Sequence, residues 1–472
     1  MGAGASGAKG IDNFRKALQE SKIPNTSSIT YHGLFYEYYF STGEIETEKI
    51  LSTKTMCSIT ENPVDPKKTE YHVALALKSK FDGEGIVKYG RPPLNLVFVL
   101  DISGSMSGGF YSQDKESEQR LSKLDIAKMS LKNLLKHMND NDNFGLVVFD
   151  TEAEVIQELL PWKDIDKDKL NEKISALRPR GGTNMSEGIT EAHYLIEQYY
   201  SKFKNEEKLS RENRIMFLTD AHPTTGDTSP TGLMGLTEKY SKEQIYVSFF
   251  GVGLDFNTDL VEQITNIVGA NYFAILSSSD FRRKLDIEFD YIVTPIAFDV
   301  DVRVEGANIV NVYGAPGYDG TKKEHDGNIA KILTVMPSHI NESQEIKGGT
   351  FLLELDDSVN DGLPFKVIMT YKDKFGKEYT EEHSGVFPSL QENQTQFFEN
   401  LGVRKTVLLV RYVDFIKYLI KCQESNQNQT FSFNDEQKKE IQNFIDFMEK
   451  EKEELKDDQL DNEIQCLKDF LK

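Results

Sequence analysis

Residues Leu94–Met106 read LNLVFVLDISGSM. Leu94 to Leu100 is an apolar run of strand-forming residues, the pattern of a strand buried on both faces of a parallel sheet. At its carboxyl end the chain switches at once to Asp101, Ser103 and Ser105, alternating with Ile102 and Gly104. Ligands of open α/β sheets bind at that edge. A carboxylate and two hydroxyls spaced i, i+2, i+4 on a tight turn can converge on one point. Hard oxygen donors of this kind suit Mg²⁺, which prefers octahedral coordination and keeps several waters.

The flanking sequence repeats the theme. Leu121–Met138 carries apolar residues at helical spacing, and Gly145–Phe149 (GLVVF) and Val155–Leu160 read as strands. Leu170–Leu177 is helical. Arg178–Ser186 (RPRGGTNMS) is a glycine-hinged loop exposing Thr183, followed by a helix over Ile189–Phe203. Ile215–Leu218 is a strand that ends in Thr219-Asp220. Ile245–Phe250 and Tyr272–Leu276 are further strands, with helices expected over Thr258–Val268 and Asp280–Tyr291. This alternation predicts a doubly wound α/β domain over residues 94–291.

The regions on either side differ. Before Leu94, Ile11–Ser21 is an amphipathic helix candidate, and Tyr31–Phe40 and Glu70–Phe81 read as strands. The expected division is a flexible N-terminus with a short helix over 1–29 and a β-rich region over 30–93. From Pro295 short strands recur at Ala297–Val304, Ile309–Val312, Ile329–Val335, Thr350–Leu355 and Phe365–Tyr371, which predicts a β-rich domain over 292–390. Residues 391–472 are expected to be helical from Gln391 onward. Asn434-Asp435-Glu436 opens one helix, and Leu460, Ile464, Leu467 and Leu471 form an apolar stripe better suited to packing on the body than to a coiled coil.

Composition narrows the function. With 472 residues the chain is long enough for about three domains. Its 76 acidic against 55 basic residues give a net charge of −21, the opposite of the basic footprint that nucleic-acid binding requires. Cys57, Cys422 and Cys466 are odd in number and far apart, which fits reduced thiols in the cytoplasm. No secretory signal or membrane-spanning run is read. The first residues, MGAGAS, match the M-G-x-x-x-[ST] pattern for myristate on Gly2. A single acyl chain gives reversible membrane visits from the cytosolic side. A flexible Gly/Ala tail explains the same residues equally well.

Asp101-x-Ser103-x-Ser105, a distant Thr183 and a later Asp220 at a strand end together resemble the metal-ion-dependent adhesion site of von Willebrand factor type A domains. The resemblance covers roughly Leu94 to Tyr291. It implies that Ser103, Ser105 and Thr183 offer hydroxyls to a divalent cation, and that Asp101 and Asp220 hold it directly or through water. The cation would be Mg²⁺, with Ca²⁺ or Mn²⁺ as substitutes. One coordination position would stay open for an acidic side chain of a protein partner. Ala221 departs from the Gly that many members carry there. Asp-x-Ser-Gly-Ser-Met with β segments on both sides further resembles the YfbK-like and chloride-channel-regulator-like subgroup, in which the flanking segments can form one composite β-sandwich.

Other readings compete. Ser and Gly after a strand can simply make a turn, and Asp at a strand end can cap a helix. A haloacid-dehalogenase-type phosphatase wants a second Asp where Ser103 stands. Walker A and the dinucleotide-binding glycine pattern are absent. His222 lies two residues past Asp220, but no nucleophile or orienting group accompanies it, and none of the eight histidines pairs at metal-ligand spacing. The expectation is a non-enzymatic, metal-dependent protein-binding chain. A metal-dependent phosphoester hydrolase using the same oxygens, and a structural subunit with a vacant metal site, remain as alternatives.

Overall fold

The structure, a computed structural model, describes residues 11–19, 23–24, 26–43, 48–62, 67–109, 121–203, 208–220, 230–252, 267–275, 281–315, 329–359, 362–392, 394–423 and 431–471. Gly2, Ala221, His222 and most of the helix expected over 258–268 lie outside them.

Leu94–Asp101 is the centre of a six-stranded sheet. On one side lies Asn143–Phe149 and then Ala153–Pro161; on the other lie Glu212–Thr219, Ile245–Val252 and Asn271–Ile275. All pairings are parallel except that of Ala153–Pro161, which runs antiparallel to its neighbour. The exception is physical: the three residues between those two strands suffice for a hairpin, whereas a parallel return needs a crossover. The strand order reverses between Leu94–Asp101 and Glu212–Thr219, so the crevice of an open α/β sheet opens between these two strands.

Side-chain alternation along the central strand builds two cores. Leu94, Leu96, Phe98 and Leu100 pack on one face with Leu124, Leu131, Leu170, Ile174 and Phe289. Val97 and Val99 pack on the other with Ile189, Ala192, Ile196 and Tyr240. The helices Lys123–Leu134 and Lys167–Ala176 cover the first face, Met185–Lys202 and Pro230–Lys242 the second. Asn95, the polar residue of the run, is fully buried. It donates to Asn213 Oδ1 and the Tyr200 hydroxyl at 2.9 Å and accepts from Asn143 at 2.6 Å, so its amide is satisfied across three adjacent strands.

The flanking segments fold together. Ser52–Glu61 and Thr69–Lys78, from before the α/β domain, join Ile309–Tyr313, Thr350–Leu355 and Phe397–Phe398, from after it, in one antiparallel five-stranded sheet. A second sheet of Ile329–Val335, Ala297–Glu305, Phe365–Lys372 and Glu378–Gly385 packs against it. Val73, Leu75, Val300, Val302, Leu353, Val367 and Met369 share the core between them. The composite β-sandwich implied by the family resemblance is therefore present.

Three local readings need correction. Tyr31–Phe40 is not a strand: Tyr31–Glu37 is a helix, capped by the Thr30 hydroxyl accepting from the Gly33 amide at 3.1 Å, and only Tyr39–Phe40 is extended. Helix does not begin at Gln391; Phe397–Phe398 pairs with Ser58–Ile59, and the helix is Leu401–Gln423. Glu378–Gly385 is an edge strand that polar composition hid. The helix Ile11–Gln19 buries Ile11, Phe14 and Leu18 in a core with Val407, Tyr412, Ile416, Ile441, Leu460, Ile464 and Leu467. Arg15 pairs with fully buried Glu463 at 2.6 Å. The terminal apolar stripe thus packs onto the body. Cys57, Cys422 and Cys466 are free thiols.

Both cores of the α/β unit draw only on residues 94–293, whereas the sandwich core needs residues from both sides of it. A fragment spanning 91–293 is therefore expected to fold alone. A fragment spanning 292–472, stripped of Ser52–Glu61 and Thr69–Lys78, is expected to be cleaved rapidly over 297–390. Limited trypsin digestion of the two fragments beside the full chain checks both outcomes.

Candidate metal-ion site at the sheet edge

Asp101 ends the central strand and Asp220 follows the neighbouring one, so the two carboxylates flank the crevice where strand order reverses. After Asp101 the chain turns through Ile102 and Ser103 into a short helical turn, Gly104–Ser107. Ser103 is buried and Ser105 exposed. The Ser103 and Ser105 hydroxyl oxygens lie 3.0 Å apart, and Ser105 Oγ donates to Asp220 Oδ1 at 2.8 Å. Three oxygens from two strand ends thus form a continuous chain.

Asp101 stands behind that chain. It is fully buried, and its oxygens accept from the Ser103 amide at 2.7 Å and from the Thr219 hydroxyl at 2.6 Å. Burial pushes its carboxyl up to about 6; the hydrogen bonds from Thr219 and Ser103 oppose the rise and the nearby Asp220 charge adds to it.

Thr183 reaches this edge on a loop fixed by backbone contacts. The Gly104 amide donates to the Gly181 carbonyl at 3.2 Å, and the Arg180 amide to the Ile102 carbonyl at 2.7 Å. Gly181 has φ +65°, and a Cβ there would come within 2.9 Å of the Asp150 carboxyl carbon, so the turn demands glycine. Asp150 also accepts from Arg180 Nε at 2.7 Å. Immediately after buried Thr183, Asn184 caps the helix Met185–Lys202 by accepting from the Glu187 amide at 3.3 Å.

Sequence reasoning missed two partners. Thr219 orients Asp101, and the only hint was a hydroxyl closing an apolar strand. Lys123, the first residue of the helix Lys123–Leu134, places Nζ 2.9 Å from Asp220 Oδ2. No local signal marks it, because its partner is distant in sequence. A second cluster, His193, Glu197 and Glu243, brings a ring nitrogen and two carboxylates within 4.8 Å of one another. Its groups already pair, His193 with Glu243 at 2.7 Å and Glu197 with Lys208 at 2.5 Å.

The donor set fits a hard divalent cation: hydroxyl and carboxylate oxygens only, preorganised by hydrogen bonds, with a lysine ammonium already drawn to the carboxylate edge. In the metal-free chain the buried Asp101 charge is costly. The unfolded carboxyl ionises near 3.8 and the folded one near 6, so between those values the folded state retains a proton that the unfolded state has lost. Metal-free stability therefore falls as pH rises through that window. Asp101→Asn is expected to stabilise the metal-free protein at pH 7 by about 3 kcal/mol, the scale of that shift. At pH 4 the gain should vanish. Urea unfolding in EDTA at both pH values measures it.

Residues 96–222 match the model of the von Willebrand factor type A domain. The chain is 26% identical over 300 residues to the uncharacterized protein YfbK of Escherichia coli, covering 62% of this chain and 47% of YfbK. It is also 26% identical over 212 residues to the inter-alpha-trypsin inhibitor heavy chain H4 of Bos taurus, covering 44% of this chain and 21% of that one. The chain thus spans about half of YfbK or less of these relatives' length. Among solved structures, a von Willebrand factor type A protein from Catenulispora acidiphila superposes with a TM-score of 0.51 at 14% identity, covering 88% of this chain and 89% of the other. That likeness extends through the sandwich and shows a shared fold. The chain carries a von Willebrand factor type A domain, set within a composite β-sandwich and followed by a helical region.

Proposed function

We propose that this chain is a non-enzymatic binding protein that holds a divalent cation at the sheet edge and captures an acidic side chain of a protein partner on it. The observation that carries this reading is the convergence of Ser103, Ser105 and Asp220 on one point, with Asp101 fixed behind them. Ser103, Ser105 and Thr183 would supply hydroxyl ligands; Asp101 and Asp220 would supply charge, directly or through water. When bound, the cation supplies an electrophilic position for a carboxylate. Mg²⁺ is the proposed resident, from the hydroxyl-rich donor set; Ca²⁺ or Mn²⁺ would use the same oxygens. The binding domain would span 94–291, with 30–93 and 292–390 supplying the sandwich except for its edge strand Phe397–Phe398, and 391–472 adding that strand and the helices that brace it. A cytoplasmic location fits the free thiols, and no helix among the described residues is long and apolar enough to cross a membrane.

The test is a pull-down from native extract in Mg²⁺ and in EDTA, with wild type beside Ser103→Ala/Ser105→Ala. The expected result is a partner lost in EDTA and in the double variant while thermal unfolding is unchanged. A partner retained in every lane would move the binding surface to the flanking regions. Reversible membrane visits through myristate on Gly2 are a further part of the proposal. Mass spectrometry of the native N-terminus is expected to find acylated Gly2, and free or acetylated Gly2 would remove that part.

A further inference from the structure

Lys123 occupies an electrostatically awkward place. It is the first residue of a helix, where the macrodipole disfavours a cation, and Asp125 is the acidic residue that the same turn supplies. Its ammonium reaches out of the helix to Asp220 Oδ2 at 2.9 Å, with the lysine side chain 18% and the aspartate 4% exposed. The other oxygen of Asp220 accepts from the Ser105 hydroxyl, so the ammonium and the hydroxyl cluster take different oxygens of one carboxylate. The lysine stem is placed by the chain itself: the Lys123 amide donates to the Gly108 carbonyl at 2.9 Å, which ties the helix start to the turn that carries Ser103 and Ser105.

The charge balance gives this pair a consequence. Asp101 and Asp220 alone would match a dication in charge and leave nothing to attract an acidic side chain. With Lys123 in place one positive charge remains in excess once the dication binds, and an incoming carboxylate neutralises it. We propose that Lys123 is a specificity-determining residue of the site, which weakens the cation's hold and strengthens that of the metal-loaded site on an acidic ligand. The inference rests on the metal-binding reading above and adds to it a residue outside the donor set.

The test uses Mn²⁺ as the metal probe and acetate as the ligand probe, in the full chain at low ionic strength, where exposed charge effects are least screened. Mn²⁺ affinity is read by electron paramagnetic resonance, and acetate binding to the Mn²⁺-loaded protein by the fall in water-proton relaxation. Lys123→Met keeps the aliphatic stem and removes the charge; Lys123→Gln and Lys123→Arg control for folding and for charge. Lys123→Met and Lys123→Gln are expected to bind Mn²⁺ about tenfold tighter than wild type, about 1.4 kcal/mol, and to bind acetate several-fold more weakly. Lys123→Arg should follow wild type in both. Equal or weaker Mn²⁺ binding in the neutral variants, with wild-type binding still abolished by Ser103→Ala/Ser105→Ala, overturns the role of Lys123 and leaves the metal site standing. Absence of Mn²⁺ binding in wild type and variants alike overturns both.

Discussion

Burying the Asp101 carboxyl costs the fold free energy that hydrogen bonds from Thr219 and the Ser103 amide offset only in part, which is why its pKa stays up at about 6. The surrounding architecture keeps that group in place nonetheless. Seven residues of the central strand pair with Asn143–Phe149 on one side, and seven with Glu212–Thr219 on the other. Apolar layers cover both faces. A strand held in this way cannot retract its last residue toward water. The carboxylate is presented at the crevice because the parallel sheet leaves it nowhere else to go.

Rigidity at one carboxylate organises the rest of the site. Asp101 accepts from the backbone amide of Ser103, which fixes the turn on which Ser103 and Ser105 stand. That turn contacts the glycine loop through Gly104 and Gly181, and the loop delivers Thr183 directly ahead of a capped helix. Asp220 enters from the adjacent strand and closes the chain of oxygens through Ser105. The oxygens are thus preorganised by contacts made elsewhere, and a cation would lose little of its binding energy to ordering them.

The α/β domain was legible because its signals are local: apolar runs of strand length, amphipathic helices between them, and oxygen-bearing residues where the runs stop. Helix Tyr31–Glu37 was misread because its aromatic residues favour strands, although Tyr31, Leu34, Phe35 and Tyr38 stand at helical spacing and are all buried. Phe397–Phe398 and Glu378–Gly385 escaped notice for a different reason: a strand can be two residues long or polar when a partner strand defines it. Lys123 and Thr219 escaped because each is defined only by a carboxylate about a hundred residues distant, Asp220 for one and Asp101 for the other. Sequence periodicity reports which face a residue occupies and carries nothing about which distant charge it meets.

An α/β domain inserted into a β-sandwich must leave and re-enter at neighbouring points, and one arginine shows how this chain manages it. Arg91, just before the central strand, binds Asp142 through both terminal nitrogens at 2.6 and 2.9 Å and Asp290 through Nε at 2.8 Å. Asp142 also accepts from the amides of Leu94 and Asn139. The entering segment, the start of the second strand and the exiting helix are thereby pinned together at the amino-terminal edge of the sheet. The sandwich grips that same side, through Tyr246 stacked on Phe298, the Gly269 amide on Thr334, and the Tyr291 hydroxyl on the Gly83 carbonyl. Glu288, held down to about 2 by buried Lys284 and by Lys347, despite a burial that opposes the shift, adds an ionic tie there. Since the oxygen cluster lies at the carboxyl edge, every one of these ties is at the far end of the strands from it. The sandwich therefore braces the domain from the edge opposite Asp101, Ser103, Ser105 and Asp220, and none of these ties among the described residues involves the oxygen cluster.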